Sequence, residues 1–537
     1  MRWSFTISIL GAALAAAAPA PRIFYSDLES GPNSGGKNND GAFVTIYGTH
    51  FGSARGDSFV KIGGGQACAY LIWADDKIAF QLGSGARTGD IVVTTAAGDS
   101  NGVPFSVRRG NIFFVSSSGT DGHKGGFAAP WRTLPYAVHT MSAGDIAYAM
   151  DGVNQLTDDG EAWSAALLLR AEWCNPSPPR ALVAYPGATV TLGNVNGNPG
   201  VAIRSVDSGG STPPCSGGWV FAGLQLRGLA ALGLNGPSTN WRIVANDMTC
   251  PNGDGASGCM ETSQASNIKM FGNNVHDTGK ATASALYHGV YFSTDGNHIE
   301  MGWNTVANVH GCRGVQVHST PQSQGTGLNQ FDLSIHDNLI HDTQCDGIVI
   351  ATVDPSKGKV ELYNNAIYNA GKGPANPEGS GNWSCIYVSG ATNRGPAGGG
   401  TVEVYNNTLV NCGTFTRPPW ANANNAVENG GHNPDLKIRL RNNIVYQPKG
   451  VPYLTGSRGA IVGESNLFFG DGSAPAGMDD SVTADPLFVD AAKGDFHLRA
   501  GSPGRGRCRG ALASVDKDGA PRGAPCDLGA YQFTAGQ

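Results

Sequence analysis

Seven stretches of the chain repeat one pattern of apolar residues around an asparagine, and this repeat constrains the fold more than any other feature. The pattern is an apolar residue, any residue, an apolar residue, two further positions, an asparagine, any residue and an apolar residue, as in DLSIHDNLIHD. Recurrence at roughly 30 residues indicates a solenoid of stacked coils. Asparagines stacked in a turn can hydrogen-bond along a column and tolerate left-handed backbone angles. We therefore predict a structural ladder of Asn246, Asn273, Asn304, Asn338, Asn365, Asn407 and Asn443.

The spacing of these asparagines is uneven, ranging from 27 to 42 residues. A minimal coil needs only about twenty-odd residues, so the surplus must leave the coil as loops. The two largest surplus segments are residues 370–384 and 412–425. Loops on one face of a solenoid commonly wall a binding groove, and we expect such a groove in this chain.

Each repeat carries a further strand-like run after its asparagine turn. Aligned on their apolar pairs, five of these runs are HGVYFS (288–293), RGVQVH (313–318), DGIVIA (346–351), SCIYVS (384–389) and NAVENG (425–430). Side chains alternate across a strand, so the apolar pairs point inward and their neighbours outward. The predicted outward columns are Tyr291, Gln316, Val349, Tyr387 and Glu428, and Ser293, His318, Ala351 and Ser389.

Three ionisable residues, His288, Arg313 and Asp346, stand at the entrances of successive runs. Neighbouring strands lie about 4.8 Å apart, so these side chains can form one patch with Tyr291, Gln316 and His318. Seven of the 12 histidines fall between residues 276 and 341, which also favours a functional site here. His288, His310 and His318 could also hold a metal ion, although their spacing matches no recognisable metal-ligand pattern.

Residues 22 to 107 alternate apolar and polar positions between glycine turns, which is typical of a β-sandwich. The stretch from Gly41 through Gly48 and Gly52 to Asn101 and Phe105 resembles the IPT/TIG family of immunoglobulin-like domains. The resemblance implies a spacer or binding module, because nothing in the segment pairs a nucleophile with a base.

The segment NIFFVSSSGTDGHKGGFAAPWRTLPYAVHTM, followed by AGD, resembles the start of a right-handed parallel β-helix of the pectate-lyase-like kind. The resemblance implies a short helix from Leu134 to Met141 that caps the first coil. Near the C-terminus, ADPLFVD and CDLGAYQF resemble the closing segment of secreted bacterial β-helix proteins. The expected fold is all-β, a right-handed parallel β-helix preceded by a small immunoglobulin-like β-sandwich. We place the sandwich at 21–108, the β-helix at 109–480 and the closing segment at 481–537.

The N-terminus and the cysteines indicate export. Arg2, an apolar run and AAAPAP are typical of a cleaved signal peptide, which we place at residues 1–20, and no later segment is apolar and long enough to span a bilayer. Eleven cysteines fit an oxidising compartment. The suggested pairs are Cys250–Cys259, Cys508–Cys526, Cys174–Cys215, Cys312–Cys345 and Cys385–Cys412, with Cys68 left over, although sequence does not fix connectivity.

A net charge of −6 without a basic block argues against nucleic acid as a partner. The patch instead suits β-elimination of an acidic polysaccharide, which needs a group that neutralises the uronate carboxylate, a base and an acid. Arg313 could hold the carboxylate, while His288 and Tyr291 abstract and donate the protons in either order and His318 is a spare. The candidate substrate-binding residues are Gln316, Asp346, Tyr387 and Glu428, together with Trp383 and Trp420, which could stack on sugars from the surplus loops.

Two alternatives remain open at this point. A glycoside hydrolase could use Asp346 with Glu428, Asp277 or Asp342, and a non-catalytic glycan-binding surface protein could use the same tryptophans. The pectate-lyase-like resemblance implies lyases, epimerases, glycosidases and non-catalytic proteins alike. The calcium-binding aspartates of pectate lyases have no clear counterpart, so a need for Ca²⁺ stays open. We expect a secreted or periplasmic monomer.

Overall fold

The structure is a computed structural model that describes residues 19–160, 164–169, 177–205, 217–319, 330–373, 383–389, 398–415, 424–430, 435–456 and 460–534. Within these residues the chain is all-β, with a right-handed parallel β-helix preceded by a small immunoglobulin-like sandwich. The predicted fold class is therefore confirmed. Most of the predicted signal peptide, together with Cys174, Cys215 and Trp420, lies outside the described residues.

The first domain is a nine-stranded sheet system in which all but one strand pairing is antiparallel. Alternation of buried and exposed residues along its strands gives it one apolar interior, centred on Phe43, Ile46 and Phe80. Its strands are Arg22–Ser26, Ser30–Gly31, Phe43–Thr49, Phe59–Ile62, Gly65–Trp73, Lys77–Leu82, Gly89–Thr95, Gly98–Asp99 and Val103–Val107.

The rest of the chain winds through three series of parallel strands. The A strands precede the asparagine turn and are Ile112–Val115, Ile146–Ala149, Arg180–Ala184, Trp219–Ala222, Asn297–Gly302, Leu333–His336, Val360–Tyr363, Gly400–Tyr405, Leu436–Arg441, Ala460–Glu464 and Met478–Asp479. The B strands follow the turn and are Asn154–Gln155, Thr191–Gly193, Gln225–Arg227, Asp247–Cys250, Asn274–Thr278, Thr305–Val309, Leu339–Thr343, Ala366–Ala370, Thr408–Val410, Ile444–Tyr446, Leu467–Phe469 and Val482–Thr483.

The C strands complete each coil and lead into the next A strand. They are Ala165–Leu169, Val201–Ser205, Tyr287–Ser293, Val315–His318, Ile348–Ala351, Trp383–Ser389, Asn424–Asn429 and Leu454–Gly456. Two 15-residue strands, Ala230–Val244 and Ser257–Phe271, supply a C strand with their first half and an A strand with their second. The A and C strands belong to one 21-stranded sheet, and the B strands form a 12-stranded sheet.

The asparagine ladder is confirmed and is one rung longer than predicted. Each asparagine donates its main-chain N–H and its Nδ2 to Oδ1 of the next, as Asn304 does to Asn338 at 3.0 Å for both bonds. The residue before each ladder asparagine is left-handed, for example Asp337 at φ 54°, which turns the chain sharply from an A strand into a B strand. The eighth member is Asn466, which accepts from Asn443.

The predicted cap helix is present at Leu134–Thr140, with the Thr133 side chain accepting from the N–H of Tyr136 at 3.3 Å. Leu134 and Val138 are buried against the first coils. A short helix closes the coil in this way because the first rung would otherwise expose its apolar interior.

The sandwich packs tightly on the outer face of the A strands. Arg242, buried between the two, reaches Asp27 and Ser26 main-chain oxygens and forms a 2.7 Å ion pair with Glu29. The Tyr148 hydroxyl donates to the main-chain oxygen of Phe43 at 2.6 Å. The two domains therefore share one hydrophobic cluster.

The C-terminal segment adds the antiparallel strands Phe488–Asp490 and Asp495–Leu498. Its apolar residues pack along the outer face of the B strands, against Ala366, Val410 and Ile444. The segment thus covers the side of several coils and is not confined to the last one.

Candidate functional site

The predicted outward column along the C strands is confirmed by the strand register. Tyr291 pairs with Gln316, Gln316 with Val349, Val349 with Tyr387 and Tyr387 with Glu428. Ser293 likewise pairs with His318. The apolar neighbours Val290 and Phe292 are fully buried in the coil. The C strands therefore present a line of polar and aromatic side chains, interrupted by the buried Val349, which we call the C-strand face.

The entrance residues His288, Arg313 and Asp346 also lie on successive rungs. Main-chain bonds from Gly289 to Arg313 and from Gly314 to Asp346, both 3.0 Å, extend the ladder to these positions. Nε of Arg313 lies 3.5 Å from Oδ2 of Asp346. The other carboxylate oxygen of Asp346 accepts from the Ser384 hydroxyl at 2.6 Å and its main-chain N–H at 3.0 Å. These residues form an entrance column beside the C-strand face.

Burial controls the protonation of the entrance column. His288 is only 1 % exposed, and burial, with the positive charges of Arg313 and His318, holds its pKa well below the usual range. The imidazole is therefore neutral near pH 7. Burial raises the pKa of Asp346 to about 6, against the opposing effect of Arg313.

His288 and Tyr291 are in contact, as their spacing on one strand requires. The two rings meet edge to face with centroids 5.2 Å apart. Nδ1 of His288 has no hydrogen-bond partner within the described residues. The pair therefore places a buried imidazole nitrogen without a partner beside a phenol that is partly exposed.

Glu428 stands two rungs from Asp346 on the C-strand face. Its side chain accepts from Nδ2 of Asn425 at 3.2 Å, and it is 4 % exposed. Burial raises its pKa to about 7; the bond from Asn425 lowers the pKa, whereas the negative charge of Asp346 raises it further. Two carboxyl groups with raised pKa values therefore influence one another at this end of the site.

Disulfides fix the rungs on which the site is built. Cys312–Cys345 links the residues directly before Arg313 and Asp346, and Cys385–Cys412 follows Ser384. Cys250–Cys259 and Cys508–Cys526 are also formed. These four predicted pairings are confirmed, and Cys68 is free and exposed, as expected.

Trp383 requires a correction. The sequence suggested an exposed loop residue that stacks on sugars, but Trp383 begins a C strand, is 0 % exposed and packs on Phe415 with ring centroids 5.7 Å apart. Trp383 is a core residue because Phe415 of the next coil packs on its ring. Tyr387 and Gln316 lie on the C-strand face as predicted, with Tyr387 close against Gly430.

Two residues of the C-strand face were missed in the sequence. Glu261 pairs directly with Tyr291, and Arg204 lies two rungs above Glu261 across Gly233. Burial raises the pKa of Glu261, while the 2.8 Å bond from the Ser257 hydroxyl and the charge of Arg204 lower it. Both residues could have been found in the sequence. VAIRS and GCMETS alternate apolar and polar residues as the later C-strand runs do, and they could have been aligned with those runs.

The described part of the chain contains no cluster of three or more histidine, cysteine, aspartate or glutamate side chains placed to hold a metal ion. It also contains no helix with both the length and the apolar character needed to cross a membrane.

Residues 29–121 match the family model of the IPT/TIG domain. No curated protein matches the chain in sequence. Among solved structures, the chain is similar to pectate lyase Pel9A, with 13 % identity over 79 % of this chain and 97 % of that one and a TM-score of 0.46. It is also similar to XylC in complex with xylose (11 % identity, 79 % and 98 % covered, TM-score 0.45) and to a family 28 exopolygalacturonase from Yersinia enterocolitica (10 %, 86 % and 94 %, 0.44).

Proposed function

We propose that the protein is a carbohydrate-active enzyme that cleaves a uronate-containing polysaccharide by β-elimination on the C-strand face. The observation that carries the proposal is the contact of a neutral, buried His288 with the Tyr291 phenol, one rung from Arg313. A base, an acid and a cation are the three groups that elimination requires.

In the proposed reaction, Arg313 neutralises the carboxylate of the uronate, which makes the adjacent C5–H more acidic. His288 takes that proton, the bond from C4 to the glycosidic oxygen breaks, and a C4–C5 double bond forms. Tyr291 donates its proton to the departing oxygen. Because the pKa of His288 is lowered, it remains an unprotonated base in neutral and mildly acidic solution.

Substrate contacts follow from the same face. Gln316 presents a polar group on the rung next to Tyr291, and Tyr387 presents one three rungs from Tyr291. His318 stands beside Ser293 at the far end of the strand. With rungs about 4.8 Å apart, a polysaccharide lying along the column places roughly one sugar on each rung. Arg204 and Glu261 extend this path towards the N-terminal coils.

A second candidate, glycoside hydrolysis, is favoured by one specific observation. Glu428 has a pKa of about 7 and Asp346 a pKa of about 6, and each is buried. A carboxyl that stays protonated near neutral pH is suited to protonate a leaving sugar oxygen. In that case Glu428 is the acid and Asp346 the second carboxyl.

We further propose that the enzyme is exported as a monomer to the periplasm or the medium. The proposal is supported by the signal-peptide pattern of residues 1–20 and by four disulfides, which form and persist in oxidising compartments.

The test is incubation of the purified protein with a panel of uronate polysaccharides, with added calcium and with chelator. We expect ultraviolet absorbance from unsaturated uronyl ends, and its loss in His288→Ala. New reducing ends without that absorbance would indicate hydrolysis instead of elimination, with Glu428 and Asp346 as the catalytic carboxyl groups. Binding without either product would make the protein a glycan-binding module.

A further inference from the structure

A cavity of about 360 Å³ lies on the A-strand side of the coil, away from the C-strand face. Its walls come from three parts of the chain. The A-strand ends supply His336 and Tyr363, the first sandwich strand supplies Arg22, and the C-terminal segment supplies Ser514. Its volume falls within the range of about 300–1,000 Å³ that is common for small-molecule sites.

Asp337 lines this cavity, and one of its carboxylate oxygens is buried and unused. Its Oδ2 lies 2.7 Å from Nδ1 of His336, whereas Oδ1 has no hydrogen-bond partner in the described part of the chain. The residue is only 4 % exposed. An unsatisfied buried carboxylate oxygen is costly, so its position at a cavity wall points to a bound donor.

The turn itself does not require this carboxylate. Asp337 occupies the left-handed position before a ladder asparagine, and the same position on the next two rungs holds Asn364 and Asn406 at φ 52° and 53°. An asparagine therefore fits the backbone equally well. The aspartate adds a negative charge that acts on Arg22 and Arg522.

His336 stands beside Asp337 and is held rigidly. Its ring stacks on Tyr363 with centroids 4.8 Å apart and meets the edge of Trp303 at 4.9 Å. Its Nε2 lies 3.5 Å from Oε1 of Glu300. Burial lowers its pKa, but the hydrogen bond to Asp337 and the ion pair with Glu300 outweigh burial and raise the pKa to about 9.

We propose that this cavity binds one neutral, hydroxyl-rich sugar unit, independently of the C-strand face. Positive charge on Arg22 and His336 opposes a metal cation, and the carboxyl groups of Glu300, Asp337 and Asp516 oppose an anion. A sugar hydroxyl carries no charge. It donates to Oδ1 of Asp337 and accepts from the neighbouring cations, so the carboxylate and the cations each gain a hydrogen bond. The indole and phenol edges of Trp303 and Tyr363 supply the apolar wall that a sugar ring requires.

A sugar bound in this cavity would contact three parts of the chain, because the sandwich, the coil and the C-terminal segment all contribute lining residues. It lies on A strands, whereas the proposed catalytic groups lie on C strands, so the two sites have no residue in common. Binding here anchors the protein to a glycan and leaves the C-strand face accessible.

The test is saturation-transfer NMR with D-galactose and D-xylose as neutral probes and D-galacturonate as the anionic one. We expect saturable binding of a neutral sugar and weaker binding of galacturonate. Asp337→Asn keeps the turn and removes the charge-assisted acceptor, and it should weaken binding roughly tenfold to a hundredfold. Ser514→Trp places an indole at the exposed rim from the C-terminal segment and should block entry.

Tyr291→Phe on the C-strand face is the matched control and should bind the neutral sugar as the unaltered protein does. Absence of saturable neutral-sugar binding would overturn the proposal. So would binding that neither Asp337→Asn nor Ser514→Trp weakens, or binding that Tyr291→Phe removes. None of these readouts needs turnover, so the outcome is separate from that of the proposed elimination.

Discussion

Two buried polar columns run along this coil with the same period, yet they differ in how their hydrogen bonds are satisfied. In the asparagine ladder, each amide donates to the next and accepts from the previous one. In the entrance column of His288, Arg313 and Asp346, the residue type changes at every rung, and Nδ1 of His288 and Oδ2 of Asp346 have no hydrogen-bond partner among the described residues. Identical amides complement one another and stabilise the coil, whereas the mixed column leaves buried polar atoms unsatisfied at a cost in stability.

The largest expected effect on stability is in the ladder. Asn338→Ala removes two accepted bonds, from the N–H and Nδ2 of Asn304, and two donated bonds, to Met301 and Asn365. Leaving these partners buried and unsatisfied should lower the free energy of unfolding by about 4 kcal/mol. Urea unfolding followed by circular dichroism measures the change.

The control for that variant is Asn274→Ala, whose exposed side chain donates to Asp247 at 3.1 Å. It should change the unfolding free energy by less than about 1 kcal/mol. Turnover per folded molecule should be unchanged in both variants. If Asn338→Ala lowers the unfolding free energy by no more than the control does, the ladder is not a main source of the stability of the coils.

A smaller effect on stability is expected from the disulfide Cys312–Cys345, which links two neighbouring rungs of the entrance column. Replacing Cys312 and Cys345 by serine opens a bridge between residues 33 apart in sequence and should lower the unfolding free energy by about 2–4 kcal/mol. Turnover should also fall, because Arg313 and Asp346 follow these cysteines directly. The control is replacement of Cys508 and Cys526, which should destabilise the protein without altering turnover. An equal loss of turnover in the two double variants would contradict a specific role of the Cys312–Cys345 bridge at the site.

The smallest effect concerns pH. Burial raises the pKa of Asp346 to about 6, so between about pH 4 and pH 6 the folded protein binds this proton and the unfolded chain releases it. The carboxyl therefore makes the unfolding free energy decrease as pH rises through that window, by about 1 kcal/mol per pH unit at most. Asp346→Asn should reduce the slope by that amount, as measured by urea unfolding at pH 4.5 and 6.5. The rest of the slope should remain, because burial also raises the pKa values of Asp27 and Asp516 to about 6 and that of Glu428 to about 7. A profile that keeps its slope would place the titration on another group.

Much of the fold could be read from the sequence because its signals are local and repeated. The ladder, the register of the C strands and four disulfides all follow from patterns within one or two coils. Asn466 was missed because Gly463 occupies the position where the other repeats carry a second apolar residue. Glu261 and Arg204 were missed because the runs that carry them were not aligned with the later C strands.

Other features depend on residues that are distant in sequence. Trp383 is a core residue because Phe415 from the next coil packs on it, and no local pattern predicts that contact. The cavity at Asp337 is formed where Arg22 meets residues beyond 510. The protonation of His288 and Glu428 depends on burial, which the sequence pattern does not quantify.

The most direct test of the central proposal, that the C-strand face is catalytic and the ladder structural, is the turnover of Tyr291→Phe on a uronate polysaccharide that the unaltered protein is found to cleave. The change removes one hydroxyl and should lower kcat about 10²- to 10⁴-fold with no shift in the urea midpoint. Tyr368→Phe, a B-strand residue stacked on His341, should keep full turnover. Unchanged turnover in Tyr291→Phe would contradict the assignment of the acid and, with it, the C-strand face as the site of elimination.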